Sequence, residues 1–126
     1  MPALKANDVL IETEAFGLNY ADVMARRGLY REAPAFPCVI GYEVVGTIIQ
    51  TGSSVDITLI GKRVVAFTRF GGYAKHVITT KDAIAEIGKM PVNDALALAT
   101  QGVTAYYMSN YISPVRTGEH VLIHAA

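Results

Sequence analysis

The sequence predicts a mainly β fold with short helices: a small, partly open β-barrel, followed by the first helix and strand of a βαβ-type unit. Three observations carry this expectation. Short β-branched runs recur between Val9 and Ile87 with glycine at their corners, the pattern turns helical after Pro91, and the chain closes on an apolar run, Val121-Leu122-Ile123-His124-Ala125-Ala126.

Val9 to Phe16 alternates in part and lies between Asn7-Asp8 and Gly17, as a strand with one wetter face does. Asn19 is positioned to cap a short helix through Arg27, its side chain accepting from first-turn amides, with Asp22 adding favourable charge and Gly28 ending it. Ala33-Pro34-Ala35-Phe36-Pro37 is extended linker, since each proline disfavours helix before it. Val39 to Gln50, broken by Gly41 and Gly46, predicts a bent or bulged strand. Arg63 to Thr68 and Tyr73 to Thr79 predict a hairpin closed by the Gly71-Gly72 turn, and Ala83 to Ile87 a weaker strand. Beyond Pro91, Asn93 caps a helix from Asp94, Gln101-Gly102 interrupts it, and a second helical stretch runs from about Thr104 to Tyr111 before Pro114. Val121 to Ala126 then predicts a strand, because apolar side chains left in water forfeit roughly 1.5–3 kcal/mol each.

Composition narrows the function. The chain has 126 residues, 52% hydrophobic and 17% charged, which excludes disorder. Eleven basic and eleven acidic residues cancel, so nothing in the overall charge suggests an electrostatic footprint for nucleic acid or an anionic membrane. Cys38 is the single cysteine and forbids an internal disulfide, which makes a reducing, cytoplasmic location the expectation. No apolar run approaches the roughly 20 residues of a membrane span, and the N-terminal MPALKANDVL lacks the pattern of a signal peptide.

The chemistry-bearing residues are few. Cys38, His76, His120 and His124 show no metal-ligand spacing. No serine sits in a nucleophile turn, Cys38 follows Pro37 with no cation beside it, and Gly71-Gly72 precedes a strand rather than a helix, unlike a phosphate cradle. Glu43 lies in an apolar strand and calls for an ion-pair partner such as Arg63 or Arg69.

Two blocks remain, GLNYADVMARRGLY (Gly17 to Tyr30) and FPCVIGYEVVGTI (Phe36 to Ile48), joined by RVVAFTRFGGYAKHV (Arg63 to Val77) and QGVTAYYMSNYISPVRTGEHVLIHAA (Gln101 to Ala126). In this order they resemble the medium-chain dehydrogenase/reductase superfamily, within its zinc-independent quinone oxidoreductase branch, and cover nearly the whole chain. The resemblance implies a GroES-like barrel followed by the start of a Rossmann-type domain. Zinc-dependent alcohol dehydrogenases carry a cysteine ligand in the first block and Gly-His-Glu in the second; here Asn19 and Gly41-Tyr42-Glu43 stand there, and the cysteine-rich lobe for structural zinc is missing.

The resemblance therefore implies metal-free hydride transfer from NADPH to a quinone, enone or other activated carbonyl. Asn19 and Tyr30 are its implied catalytic residues, Thr104 and Asn19 its cofactor contacts, and Tyr20 and Tyr42 its pocket wall. Each plain role stays open beside these: Asn19 as helix cap, Tyr30 as loop anchor, Thr104 as helix start, Tyr42 as barrel core. Asp22, shared by zinc and non-zinc branches, points to capping or orientation rather than proton transfer.

The implied division is 1–91 for the barrel, lacking its first strand, and 92–126 for the start of the dinucleotide-binding domain, cut before its glycine-rich turn. The expectation is thus a piece of a homodimeric NADPH-dependent oxidoreductase, inactive alone. Two alternatives stand against it: a free-standing binding or assembly module, and a pseudoenzyme that regulates a longer relative.

Overall fold

The computed structural model describes residues 3–124. Its strands β1 (Asp8–Phe16), β2 (Glu43–Thr51), β3 (Arg63–Phe67), β4 (His76–Thr80) and β5 (Ile84–Glu86) form one antiparallel sheet in the order β4-β1-β2-β3-β5. Only Lys81–Ala83 separates β4 from β5, yet they occupy opposite edges. Laid flat, those edges would stand about 19 Å apart at roughly 4.8 Å per strand, too far for a three-residue turn rising about 2 Å per residue. The sheet therefore curls back on itself. Thr79 Oγ1 donates to the Phe67 carbonyl at 2.7 Å across the gap, and no backbone ladder among the described residues closes it. This is the partly open barrel expected from the strand spacing.

Strand alternation sorts the core. Val9, Ile11, Val44, Ile48, Val64, Ala66 and Val77 point into the barrel, with Val55 below them. Val45 and Val65 point outward and are covered by Ala95 and Ala99 of the helical run. The register slips between Thr13 and Ala15, leaving Glu14 bulged opposite the Val45–Gly46 step, and again between Leu10 and Ile11. The extra residue beside Gly46 thus belongs to β1, and the bulge expected within β2 falls at Ile49 instead.

Several expectations need correction. β3 and β4 are not hairpin partners: β4 pairs with β1. The amides after the Gly71-Gly72 turn are taken elsewhere, Gly71 N by the Val39 carbonyl at 2.9 Å and Tyr73 N by Ile40 at 3.0 Å. β2 begins at Glu43 rather than Val39, because Gly41 at φ +108° leaves the extended conformation. β4 likewise begins at His76, not Tyr73.

Helix α1 (Tyr20–Arg26) follows Asn19 and ends at Gly28, whose φ is +70°. The C-terminal helical run joins α2 (Val92–Ala97) and α3 (Val103–Tyr107) through a wider π-type turn at Leu98–Gly102 and ends in another at Met108–Ile112. It starts on Pro91, whose carbonyl accepts from Ala95 N at 3.1 Å, so Asn93 sits inside the first turn and does not cap it. The break falls at Ala99 (ψ −106°), while Gly102 is helical. Val121 to Ile123 form no strand and are 58–79% exposed, because no described strand lies beside them to share a ladder; Ala125 and Ala126 lie outside the described residues. Among the described residues no helix is long and apolar enough to cross a membrane.

Candidate active site at the junction of barrel and helical run

Glu43 is the centre of the site. It opens β2 on the outward face shared with Val45, beneath the helical run, and is fully buried. Register explains why the expected ion pair does not form. Glu43 lies opposite Phe67 and Arg63 lies opposite Thr47, four residues or about 13 Å down the ladder. Arg63 instead meets Glu14 at 2.8 Å, and Arg69 meets Glu32 at 3.3 Å. Neutral donors satisfy Glu43: Asn19 Nδ2 donates to Oε1 at 3.1 Å and Thr100 N to Oε2 at 2.7 Å. Gly17 makes the room, since a Cβ there would lie 2.7 Å from the carboxyl carbon.

Taking the Thr100 amide also accounts for the kink. A side chain inserted into the helical ladder diverts an N–H from its i−4 carbonyl and widens the turn. The backbone departs from helical geometry at Ala99, one residue before the diverted amide.

Asn19 sits at the N-cap of α1 and forms a capping box with Asp22. Its Nδ2 is turned to Glu43 and its Oδ1 accepts from Gln101 Nε2 at 3.0 Å. The cap expected from the sequence is therefore present, on a side chain that also holds Glu43. Asp22 supplies the reverse half of the cap: its Oδ2 accepts from Asn19 N at 2.9 Å, and its Oδ1 accepts from Gly41 N at 3.1 Å. Asp22 thus ties α1 to the glycine that precedes β2, an orienting role in keeping with its position. Replacing it with alanine removes two charge-assisted bonds from a side chain only 4% exposed. A loss of about 2 kcal/mol is expected in urea unfolding, and a loss below about 0.5 kcal/mol would contradict the double anchor.

Tyr30 and Tyr42 meet edge to face with ring centroids 6.2 Å apart, and Tyr42 also lies 5.1 Å from Phe70. Burial first, and the Tyr30 phenol second, push the Tyr42 hydroxyl above the ordinary phenol range. Burial and then the Asp22 carboxylate do the same to Tyr73. Both are therefore neutral near pH 7 and suit walls or donors, not bases. Tyr42 is half-buried at the rim rather than in the barrel core. Tyr20 is 73% exposed on α1, and Thr104 is exposed on α3; no side-chain hydrogen bond joins either to Asn19 among the described residues.

The structure thus gathers two clusters, Asn19-Glu43-Thr100-Gln101 and Tyr30-Tyr42-Phe70, around three of the predicted site residues. Thr100, Gln101 and Phe70 were missed by sequence reasoning. No group of three His, Cys, Asp or Glu side chains is gathered as metal ligands among the described residues. A separate apolar cavity of about 240 Å³ lies under α1 between Leu18, Ile40 and Tyr73.

Comparison with known proteins fits this geometry. Residues 5–110 match the alcohol dehydrogenase GroES-like domain family. A Schizosaccharomyces pombe protein named "Probable quinone oxidoreductase" is 36% identical over 128 residues, covering 100% of this chain and 38% of that protein. The crystal structure of the human synaptic vesicle membrane protein VAT-1 homolog-like protein superposes with a TM-score of 0.86 at 33% identity, over 92% of this chain and 37% of that one. Escherichia coli quinone oxidoreductase, solved with NADPH, superposes at 0.83 with 28% identity, over 92% and 36%. The chain therefore spans little more than a third of the length of these relatives. It belongs to the alcohol dehydrogenase GroES-like domain family, among the quinone oxidoreductase and VAT-1-like proteins of the medium-chain dehydrogenase/reductase superfamily.

Proposed function

We propose that this chain supplies the substrate-facing barrel of a zinc-independent, NADPH-dependent oxidoreductase that reduces a quinone or activated carbonyl. The observation that carries the reading is the Asn19-Glu43-Gln101 network: an amide, held by a buried carboxylate, stands where zinc relatives place a cysteine ligand. NADPH fits these residues in one respect, since Asn19 keeps one unused N–H and Thr104 an exposed hydroxyl on the helical run. When bound, the dinucleotide supplies the hydride. Asn19 offers its free N–H to a carbonyl oxygen on which charge develops. Tyr30 and Tyr42, with Tyr20 at the edge, exclude water on one side, and Thr104 lies toward the nicotinamide.

In this reading residues 1–91 form the catalytic domain and 92–126 lead into a dinucleotide-binding domain. Exposed Val103, Tyr106, Tyr107, Tyr111 and Ile112 support it as a surface for such a neighbour. The protein acts in the cytoplasm, as a homodimer, on small molecules. The test is NADPH oxidation with a small quinone by the protein expressed from its complete reading frame. Turnover is expected to survive EDTA, and the 126-residue chain alone is expected to bind no NADPH in a fluorescence titration. Loss of turnover on chelation would overturn the zinc-free assignment; no turnover with any quinone, enone or other activated carbonyl would overturn the oxidoreductase.

A further inference from the structure

We infer that Glu43 is a positioning residue that fixes which way the Asn19 and Gln101 amides point, so that the N–H left free at Asn19 faces a ligand carbonyl oxygen. The donor half of this inference rests on the function proposed above; the orientation half rests on hydrogen-bond chemistry alone.

A carboxylate only accepts, whereas an amide has a donor end and an acceptor end. Glu43 is fully buried and its two oxygens receive Thr100 N at 2.7 Å and Asn19 Nδ2 at 3.1 Å. With Nδ2 committed to Glu43, Asn19 Oδ1 must face the other way, where Gln101 Nε2 donates to it at 3.0 Å. One acceptor-only group thus sets the polarity of the whole chain. The second N–H of Asn19 is left beside Glu43, and the free Gln101 oxygen is left at the exposed end. The same carboxylate holds the kink at Ala99, so the orientation of the donor and the path of the helical run share one anchor.

Glu43→Gln reverses this logic without removing a bond. The Thr100 amide demands an acceptor, so the oxygen of the introduced side-chain amide must turn to it, and the NH2 of that amide must face residue 19. Asn19 then has to flip, presenting Oδ1 to the introduced NH2 and Nδ2 to Gln101, whose oxygen can accept. Each hydrogen bond of the Thr100-Glu43-Asn19-Gln101 network is remade, but an oxygen now stands where the free N–H stood. A group with a purely structural role would not register that exchange in function.

Two measurements on the protein expressed from its complete reading frame test the inference. In side-chain amide NMR, wild type should show one Asn19 NH2 proton protected from exchange. In Glu43→Gln that protected proton should belong to the introduced amide instead, with Tm moved by less than about 3 °C. An Asn19 proton that stays protected in the variant, or that is unprotected in wild type, would overturn the orientation role. In steady-state assays the variant should lose roughly tenfold to a hundredfold in kcat/KM. If NADPH affinity is unchanged while kcat/KM for the quinone falls, the carbonyl is the quinone's; if NADPH affinity falls equally, it is the nicotinamide carboxamide's. A kcat/KM within about twofold of wild type with the amide flip present would overturn the donor role. A wild type that turns over no quinone would defeat the proposed function instead, leaving the NMR result to decide the orientation.

Discussion

Gly46→Ala is expected to destabilise the fold by about 3 kcal/mol. Gly46 lies in β2 opposite Thr13 of β1, beside the bulged Glu14. A Cβ there would run into the Glu12 carbonyl oxygen, with Ile11 Cγ2 at 2.6 Å and the Glu12 carbonyl carbon at 3.0 Å. These obstacles are backbone and a fully buried side chain, so no rotamer change relieves the clash. Only separation of β1 from β2 does, and those strands are the middle of the sheet. Overpacking of about 1–3 kcal/mol and weakened ladder bonds of about 1 kcal/mol each set the magnitude. Gly61→Ala is the internal comparison: φ is +83° there but nothing lies within 4 Å of the added carbon, so only backbone strain of about 1 kcal/mol is expected. Urea unfolding of both variants decides the point. A Gly46→Ala stability within about 1 kcal/mol of wild type would mean that the two central strands are not packed this closely.

That contrast shows where sequence reasoning reaches and where it stops. Strands β1, β3 and β5, helix α1 and the helical run were all readable, because each is written in local periodicity and in its flanking glycines. Pairing was not. A Gly-Gly turn between two apolar runs points to a hairpin, and nothing local reveals that the backbone of Val39 and Ile40 claims the amides after it. Glu43 illustrates the same limit in the site. Its need for a partner was legible from its apolar surroundings, but an arginine was the wrong choice. The partner is set by strand register and by a helical amide 57 residues away, neither of which a motif encodes. Asn19 was legible as the cap of α1, but its second task, donating to a distant carboxylate, shows only once residues 43 and 101 are folded beside it. Tyr30 and Tyr42 meet edge to face, a contact that no spacing in the sequence announced, and Phe70, which packs on Tyr42, sat unremarked beside the glycine turn.

Asn19→Ala is expected to lower stability by about 2 kcal/mol and kcat/KM with a quinone by roughly a hundredfold. The stability loss follows from Glu43, which is 0% exposed and would keep a single donor, the Thr100 amide. Gln101 would lose its acceptor but is exposed and can turn to water. Under the proposed function, the loss in turnover follows from removing the Asn19 N–H offered to a carbonyl oxygen. Asn19→Asp separates the two effects. Alone it sets a second carboxylate against the buried Glu43 and should destabilise more than alanine, by like-charge repulsion. Combined with Glu43→Gln, it remakes each bond. Thr100 N then donates to the oxygen of the introduced amide, while the NH2 of that amide and the Gln101 NH2 both donate to the introduced carboxylate. The double variant should regain most of the stability in urea unfolding, a coupling that independent sites would not display. It should not regain turnover, because residue 19 then carries acceptors only. Recovery of both would make Asn19 a strut for the kinked helix, and recovery of neither would remove the hydrogen-bonded chain from the account of the fold.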